Sequence, residues 1–324
     1  MQRPSDSGDL ESILYELERK QVDCCIYYVA LDSLGINATS EDTNDEGWSL
    51  PTESKPGEWR VVENPEINLL SDYGVSRPRL LKLHTLSGLI LFSRLKRKLF
   101  LAEFAGSSIE IQSNVIPISG DKSVPFSRNV RKGVMVAKAR LIREESNWND
   151  YTAYRFACDC AERAISRNTL VHNHVDSIYL EGIKFVRASA KFLHLDDHTE
   201  IDRFLGKSFS QREERMESWL AKKSSLEKEI EEAASLDYAG KALLDCLIKI
   251  YTPFRAANMS SRNARVNHAM MSFLELKAKG HEVPSWSLPK EHERDTVDRI
   301  WFLHQIRELD WQVAHLENIL RNGI

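Results

Sequence analysis

The apolar residues change their spacing once along this chain, and that change limits what it can fold into. Before Pro125 they gather in short runs or alternate with polar residues: "CCIYYVAL" (Cys24 to Leu31), "GLILF" and "KLFLAEF" on either side of the basic turn "SRLKRK", and "SIEIQSNVIPI". Short runs rich in aromatic and β-branched residues read as strands, although "CCIYYVAL" also admits a buried helix. From Val134 onward alternation gives way to the three-and-four spacing of amphipathic helices. That spacing predicts helices over 134–145, 150–166, 169–195, 199–206, 210–234, 237–251, 257–279 and 292–321, with Pro253, Pro284 and Pro289 as breaks. A further short helix is expected over 9–21, from Leu10, Ile13, Leu14 and Leu17. The expected fold class is α+β: a mixed region with a small sheet over 1–133, then a predominantly helical bundle over 134–324. A length of 324 residues suits two domains.

The predicted last helix carries a heptad-like seam, Phe302, Ile306, Leu309, Val313, Leu316 and Leu320, with Trp301 and Trp311 beside it. It should pack inside the bundle; a partner or a second copy is the alternative. Between Asn37 and Glu66 the chain is acidic and broken by Gly47, Pro51, Pro56, Gly57 and Pro65, an irregular excursion.

The longest apolar run, "LSGLILF" (Leu86 to Phe92), falls far below the ~20 residues of a membrane-spanning helix. The N-terminal "MQRPSDSGDLES" has no apolar signal core. Five cysteines in no framework spacing read as reduced thiols, so a cytoplasmic protein is expected. No C-x-x-C pair, G-x-G-x-x-G, G-x-x-x-x-G-K-[ST] or G-x-S-x-G occurs, and no cofactor is expected. His172, His174 and Asp176 offer metal-binding groups, as do His194, Asp196, Asp197 and His198. A helix of about 30 Å would separate the two sets, so no metal site is expected.

Net charge of −4 hides a strong asymmetry. Residues 1–76 carry 5 basic and 16 acidic side chains (5 − 16 = −11), residues 77–143 carry 14 and 3 (14 − 3 = +11), and the remainder 25 and 29 (−4). A basic stretch interleaved with Phe92 and Phe100 suits a nucleic-acid surface, because cations release counterions and rings stack on bases. The candidate contacts are Arg77, Arg79, Lys82, Arg94, Lys96, Arg97, Lys98, Arg128, Arg131 and Lys132. The alternative, equally open, is that the acidic first segment folds over this stretch and neutralises it.

One segment bears on chemistry: "AISRNTLVHNHVD", Ala164 to Asp176, in which Arg167 and Asn168 precede His172. Cleavage through an RNA 2′-hydroxyl needs a proton acceptor and a cation for the developing phosphorane charge. Histidine and arginine supply them. The spacing R-N-x-x-x-H resembles the motif of the HEPN superfamily. That resemblance implies a helical bundle and metal-independent RNA cleavage at the interface of two such domains, with Arg167, Asn168 and His172 as the catalytic set. Looser matches are Arg187 with His194, Arg262 with His268, and Arg299 with His304. "RNARVNH" (262–268) is the best of these because Asn263 follows Arg262, which makes it a candidate second half-site. The other reading of "RNTLVH" is a helix start capped by Asn168 or Thr169, with an exposed histidine.

Immediately upstream, "AYRFACDCAERAI" resembles a helix of immunity proteins from bacterial toxin loci, which implies protein binding without catalysis. Phe156, Cys160 and Ala164 form its apolar face, with Asp159, Glu162 and Arg163 expected on the opposite side. The leading functional expectation is therefore an RNA-directed protein. The alternative is a non-enzymatic interaction module that binds a protein partner or a second copy through its helical region.

Overall fold

In the computed structural model the described residues are 26–31, 57–61, 81–92, 98–106, 108–114, 129–167, 173–190, 209–233, 238–248, 253–278, 280 and 294–323. They form an antiparallel sheet and a set of helices, an α+β fold. The strands are β1 (Tyr27–Leu31), β2 (Arg60–Val61), β3 (Leu81–His84), β4 (Lys98–Phe104), β5 (Ser108–Asn114), β6 (Asn129–Val136) and β7 (Lys138–Glu144), in the order β2-β7-β4-β1-β3-β6-β5. Tyr28 pairs with both Leu101 and His84, which puts β1 at the centre.

Alternation in these strands divides the sheet between two cores. Tyr27, Val29, Leu81, Leu83, Val134, Val136, Ala139 and Leu141 pack together on one face. Tyr28 and Leu99 point to the other face, against helices. Gly133 is fixed by close approach: a Cβ there would overlap the Leu83 carbonyl oxygen and lie 3.1 Å from His84 Cα.

Two expectations need correction. "GLILF" is not a strand: Leu86–Phe92 is helix α1, started by Thr85, whose Oγ1 accepts from the Gly88 amide at 3.0 Å. A short apolar run serves a buried helix as well as a strand, and the cap decides it here. Nor is 134–145 helical: it holds the end of β6 and all of β7, where Ala139 and Leu141 are buried and Ile142 is exposed. The helix expected over 9–21, the acidic 37–66 excursion except 57–61, and 199–206 lie outside the described residues.

The remaining helices are α2 (Asp150–Ser166), α3 (Asn173–Ala190), α4 (Phe209–Ala233), α5 (Tyr238–Ile248), α6 (Pro253–Asn263), a π-helical turn (Ala264–His268), α7 (Ala269–Ala278) and α8 (Arg294–Asn322). α2 is the axis of the assembly. Its alanines and cysteines let neighbours approach on two sides. Tyr154, Ala157, Cys158, Ala161 and Ile165 pack on α3, α4 and α5, while Ala153, Phe156 and Cys160 pack on α1, α6, α8 and the sheet. Leu309, Leu316 and Leu320 of the heptad-like seam are buried in this second core, and Val313 packs against it. Cys158, Cys160 and Cys246 are buried free thiols. The Cys246 thiol, hydrogen-bonded to Cys158 and sealed from water, is held well above the ordinary range, and burial does the same to Cys160. No described helix is long and apolar enough to cross a membrane.

α2 begins with a capping box. Asn149 Oδ1 accepts from the Thr152 amide at 3.0 Å, and the Asn149 amide donates to Thr152 Oγ1 at 2.9 Å. Asn149→Ala is expected to cost about 1 kcal/mol, read as a lower urea midpoint at unchanged slope. An unchanged midpoint would show that the cap adds nothing to stability.

Candidate functional site

Two polar stripes meet along α2 and α8. On α2 they are Asp159, Arg163 and Arg167, four residues apart; on α8 they are His304, Glu308, Trp311 and His315, stepping by four, three and four. Such steps keep a stripe on one helix face. The helices run antiparallel, so the low end of one meets the high end of the other. His315 Nε2 lies 2.7 Å from Asp159 Oδ2, Arg163 sits 4.2 Å over the Trp311 ring, and Arg163 Nε donates to Glu308 Oε2 at 2.8 Å. Arg167 Nη1 is 3.8 Å from the same Glu308 oxygen. Asp159 and Arg163, expected opposite the apolar face of α2, are covered on that side. Their side chains are only 18% and 22% exposed, because α3 and α8 cover the polar side of α2 as other helices cover its apolar side.

At the inner end, His315 stacks between Phe156 and Trp311, with ring centroids 5.9 and 5.1 Å away. Asp159 also pairs with Arg187 of α3, which reaches Glu162 as well. Burial pushes the Asp159 carboxyl up, but the His315 hydrogen bond and the Arg187 cation outweigh it and hold the group below its ordinary value. In the middle, Glu308 is 1% exposed and fully engaged: Ser260 Oγ donates to its Oε1 at 3.2 Å while Oε2 serves the arginines. At the outer end, His304 is pushed down to about 4, by burial first and then by Arg307 and Arg167. It is therefore neutral at pH 7, able to donate from one ring nitrogen and accept at the other.

The two R–N segments converge at this outer end. α2 stops at Ser166, with Arg167 as its C-cap, and α3 is described from Asn173. Asn168 and His172 lie outside the described residues. Asn263 of "RNARVNH" is fully buried, and its Nδ2 donates to the Ala164 carbonyl at 3.2 Å, one turn before Arg167. Its Oδ1 accepts from Asn267 at 2.6 Å across the π-helical turn. Arg262 is exposed and donates to Asn258 at 3.2 Å. π-helical turns are rare and frequent at functional sites. Neither motif by itself exposed Glu308 or His315; the signal was the matching periodicity of α2 and α8, with ionisable residues beside an apolar seam.

The basic stretch is less available than its composition implies. Among the described residues Lys98 pairs with Glu144 at 3.2 Å, Arg143 with Glu145 at 3.4 Å, and Arg140 with Glu103. Lys138 and Arg140 cover Trp59, 4.8 and 4.7 Å from its ring centroid. Lys82 lies on β3, and Arg131 and Lys132 on β6. Arg77, Arg79, Arg94, Lys96, Arg97 and Arg128 lie outside the described residues. The partners seen are local carboxylates, on β4, on β7 and just after β7.

Among the described residues no three metal-ligating side chains gather. His172 and 191–200, which include His194 to His198, lie outside them. Compared with family models, with curated proteins and with solved structures, the chain matches none.

Proposed function

We propose that the chain is an RNA-directed protein that cleaves its substrate without a metal, with Arg167, Asn168 and His172 as the catalytic set. One observation carries this reading: the Asn263 carboxamide ties "RNARVNH" to the last turn of α2, so both R–N segments serve one end of the bundle. In this chemistry His172 accepts the proton of the attacking 2′-hydroxyl as the P–O2′ bond forms, the P–O5′ bond breaks and the 5′-oxygen leaves with a proton from water, and Arg167 stabilises the charge that develops on phosphorus oxygens. Arg167 suits that role because its side chain is 46% exposed and only loosely held by Glu308, at 3.8 Å.

The test is cleavage of RNA by the purified chain with a chelator present. His172→Ala is expected to lower the rate by about 10²–10⁴-fold. Full cleavage by the variant, or none by the wild type, removes the catalytic reading.

A second reading, a non-enzymatic interaction module, is favoured by α3 and α4. Leu180, Met216 and Leu220 are 53%, 41% and 51% exposed there. Retention on heparin or RNA separates the two, because polyanion binding weakens steeply with salt. A chain acting through apolar protein contacts is retained weakly at every salt concentration.

A further inference from the structure

Along the outer half of the α2–α8 seam two arginines share one carboxylate oxygen. Glu308 is 1% exposed, and its two oxygens are used differently. Oε1 accepts from Ser260 Oγ at 3.2 Å, which anchors the group to α6. Oε2 accepts from Arg163 Nε at 2.8 Å and lies 3.8 Å from Arg167 Nη1. Arg163 is fixed, 4.2 Å over the Trp311 ring. Arg167 pairs with Glu308 alone among the described residues, at a distance within Coulombic reach but longer than a hydrogen bond. It is attracted without giving up an N–H donor. The backbone beneath it is held as well. Its amide donates to the Ile165 carbonyl, and the Ala164 carbonyl takes the buried Asn263 carboxamide at 3.2 Å. What remains to be fixed is a half-exposed side chain with many rotamers.

We propose that Glu308 is the positioning residue for Arg167 in RNA cleavage: its buried carboxylate, anchored by Ser260 and balanced by Arg163, draws the Arg167 guanidinium to one place and leaves its donors for the phosphorus oxygens. The inference rests on the reading of Arg167 as the group that stabilises charge at phosphorus. Two features suit the arrangement to that task. Arg163 offsets the carboxylate, so one positive charge is left over, on the arginine nearer to water. Glu308 does not follow Arg167 outward, because α6 holds one of its oxygens and α2 the other. A cation already in place needs no reorganisation when charge develops, and preorganised groups of this kind owe their effect to that. A guanidinium sampling many rotamers lacks this advantage.

The test begins with Arg167 itself. Its Nε–H order parameter is measured by NMR in the full chain, the signal being assigned with Arg167→Lys. A restricted group is expected in the wild type, and a fall below about 0.6, the range of flexible N–H groups, in Glu308→Gln. RNA cleavage with a chelator present is then compared in a double-mutant cycle. With Arg167 intact, Glu308→Gln should lower kcat at least about tenfold, short of the ~10²-fold cost of a misplaced group, and change KM less than about twofold. In the Arg167→Ala background it should have no further effect. A merely structural role lowers both backgrounds alike, and thermal melts give the folded fraction of each protein. If Glu308→Gln does not fold, Ser260→Ala takes its place. That variant keeps the charge but frees the carboxylate, and the same fall in Arg167 order is expected. An unchanged order parameter, or equal losses in the two backgrounds, overturns the proposal. If Arg167 loses order but the wild type cuts no RNA, Glu308 still positions Arg167 and the RNA-cleavage reading fails. If RNA is cut while the order of Arg167 ignores Glu308, the reverse holds.

Discussion

Glu308→Ala is expected to destabilise the folded chain by about 3 kcal/mol, the low end for breaking a buried ion pair. The carboxylate is 1% exposed and serves Arg163, Ser260 and Arg167 together. Removing it leaves Arg163 over the Trp311 ring with no other ion-pair partner among the described residues, and Ser260, itself 1% exposed, without its acceptor. The low end applies because Arg163 is 22% exposed and retains some access to water. Glu308→Gln should cost less, since it keeps an acceptor for Ser260 while losing the charge. Urea denaturation of the three proteins measures the order. A loss below about 1 kcal/mol for the alanine variant would reduce the ion pair to the value of a surface one.

Gly133→Ala should be at least as damaging. The new Cβ would meet backbone: the Leu83 carbonyl oxygen, its carbon at 3.0 Å and His84 Cα at 3.1 Å. Gly133 pairs with His84 on one side and Ile111 on the other, so β6 cannot retreat from β3 without disturbing β5. A loss above about 3 kcal/mol is expected, beyond the usual range for overpacking. Gly182→Ala is the instructive comparison. Its Cβ would meet Leu243 Cδ2 at 2.8 Å and Ile230 Cδ1 at 2.9 Å, the far ends of side chains that rotate aside. Thermal melts should therefore rank Gly133→Ala as the more destabilised. The opposite ranking would mean that the sheet yields more easily than the helical core.

The fold was legible where spacing was unambiguous. Long helices such as α4 and α8 begin and end within two residues of their expected bounds, because three or more turns of periodic burial leave one solution. It was misleading where a short segment fitted two periods. Leu86–Phe92 is apolar throughout, and only the Thr85 cap distinguishes helix from strand. In β7 the alternation Lys138, Ala139, Arg140, Leu141 runs four residues before Ile142 breaks it, too short to outweigh the helix-forming residues around it. The site was less legible still. Asp159 and Arg163 look solvent-facing on α2 alone, since the helix that covers them lies about 150 residues away in sequence. A buried carboxylate such as Glu308 becomes recognisable only once its partners are known. Arg167 was visible as a motif residue, and His304 only through its loose match with Arg299.

The distance between those stripes also sets a timetable. Arg163 and Glu308 are 145 residues apart. At about 5–20 residues per second, a ribosome delivers Glu308 roughly 7–30 s after Arg163. Through that interval α2 is complete, yet its arginines have no buried carboxylate, and Phe156 awaits Leu309, Leu316, Ile319 and Leu320. The nascent chain thus presents a cationic and apolar groove for several seconds, a window in which chaperones or stray polyanions compete with α8 for the face it will finally close.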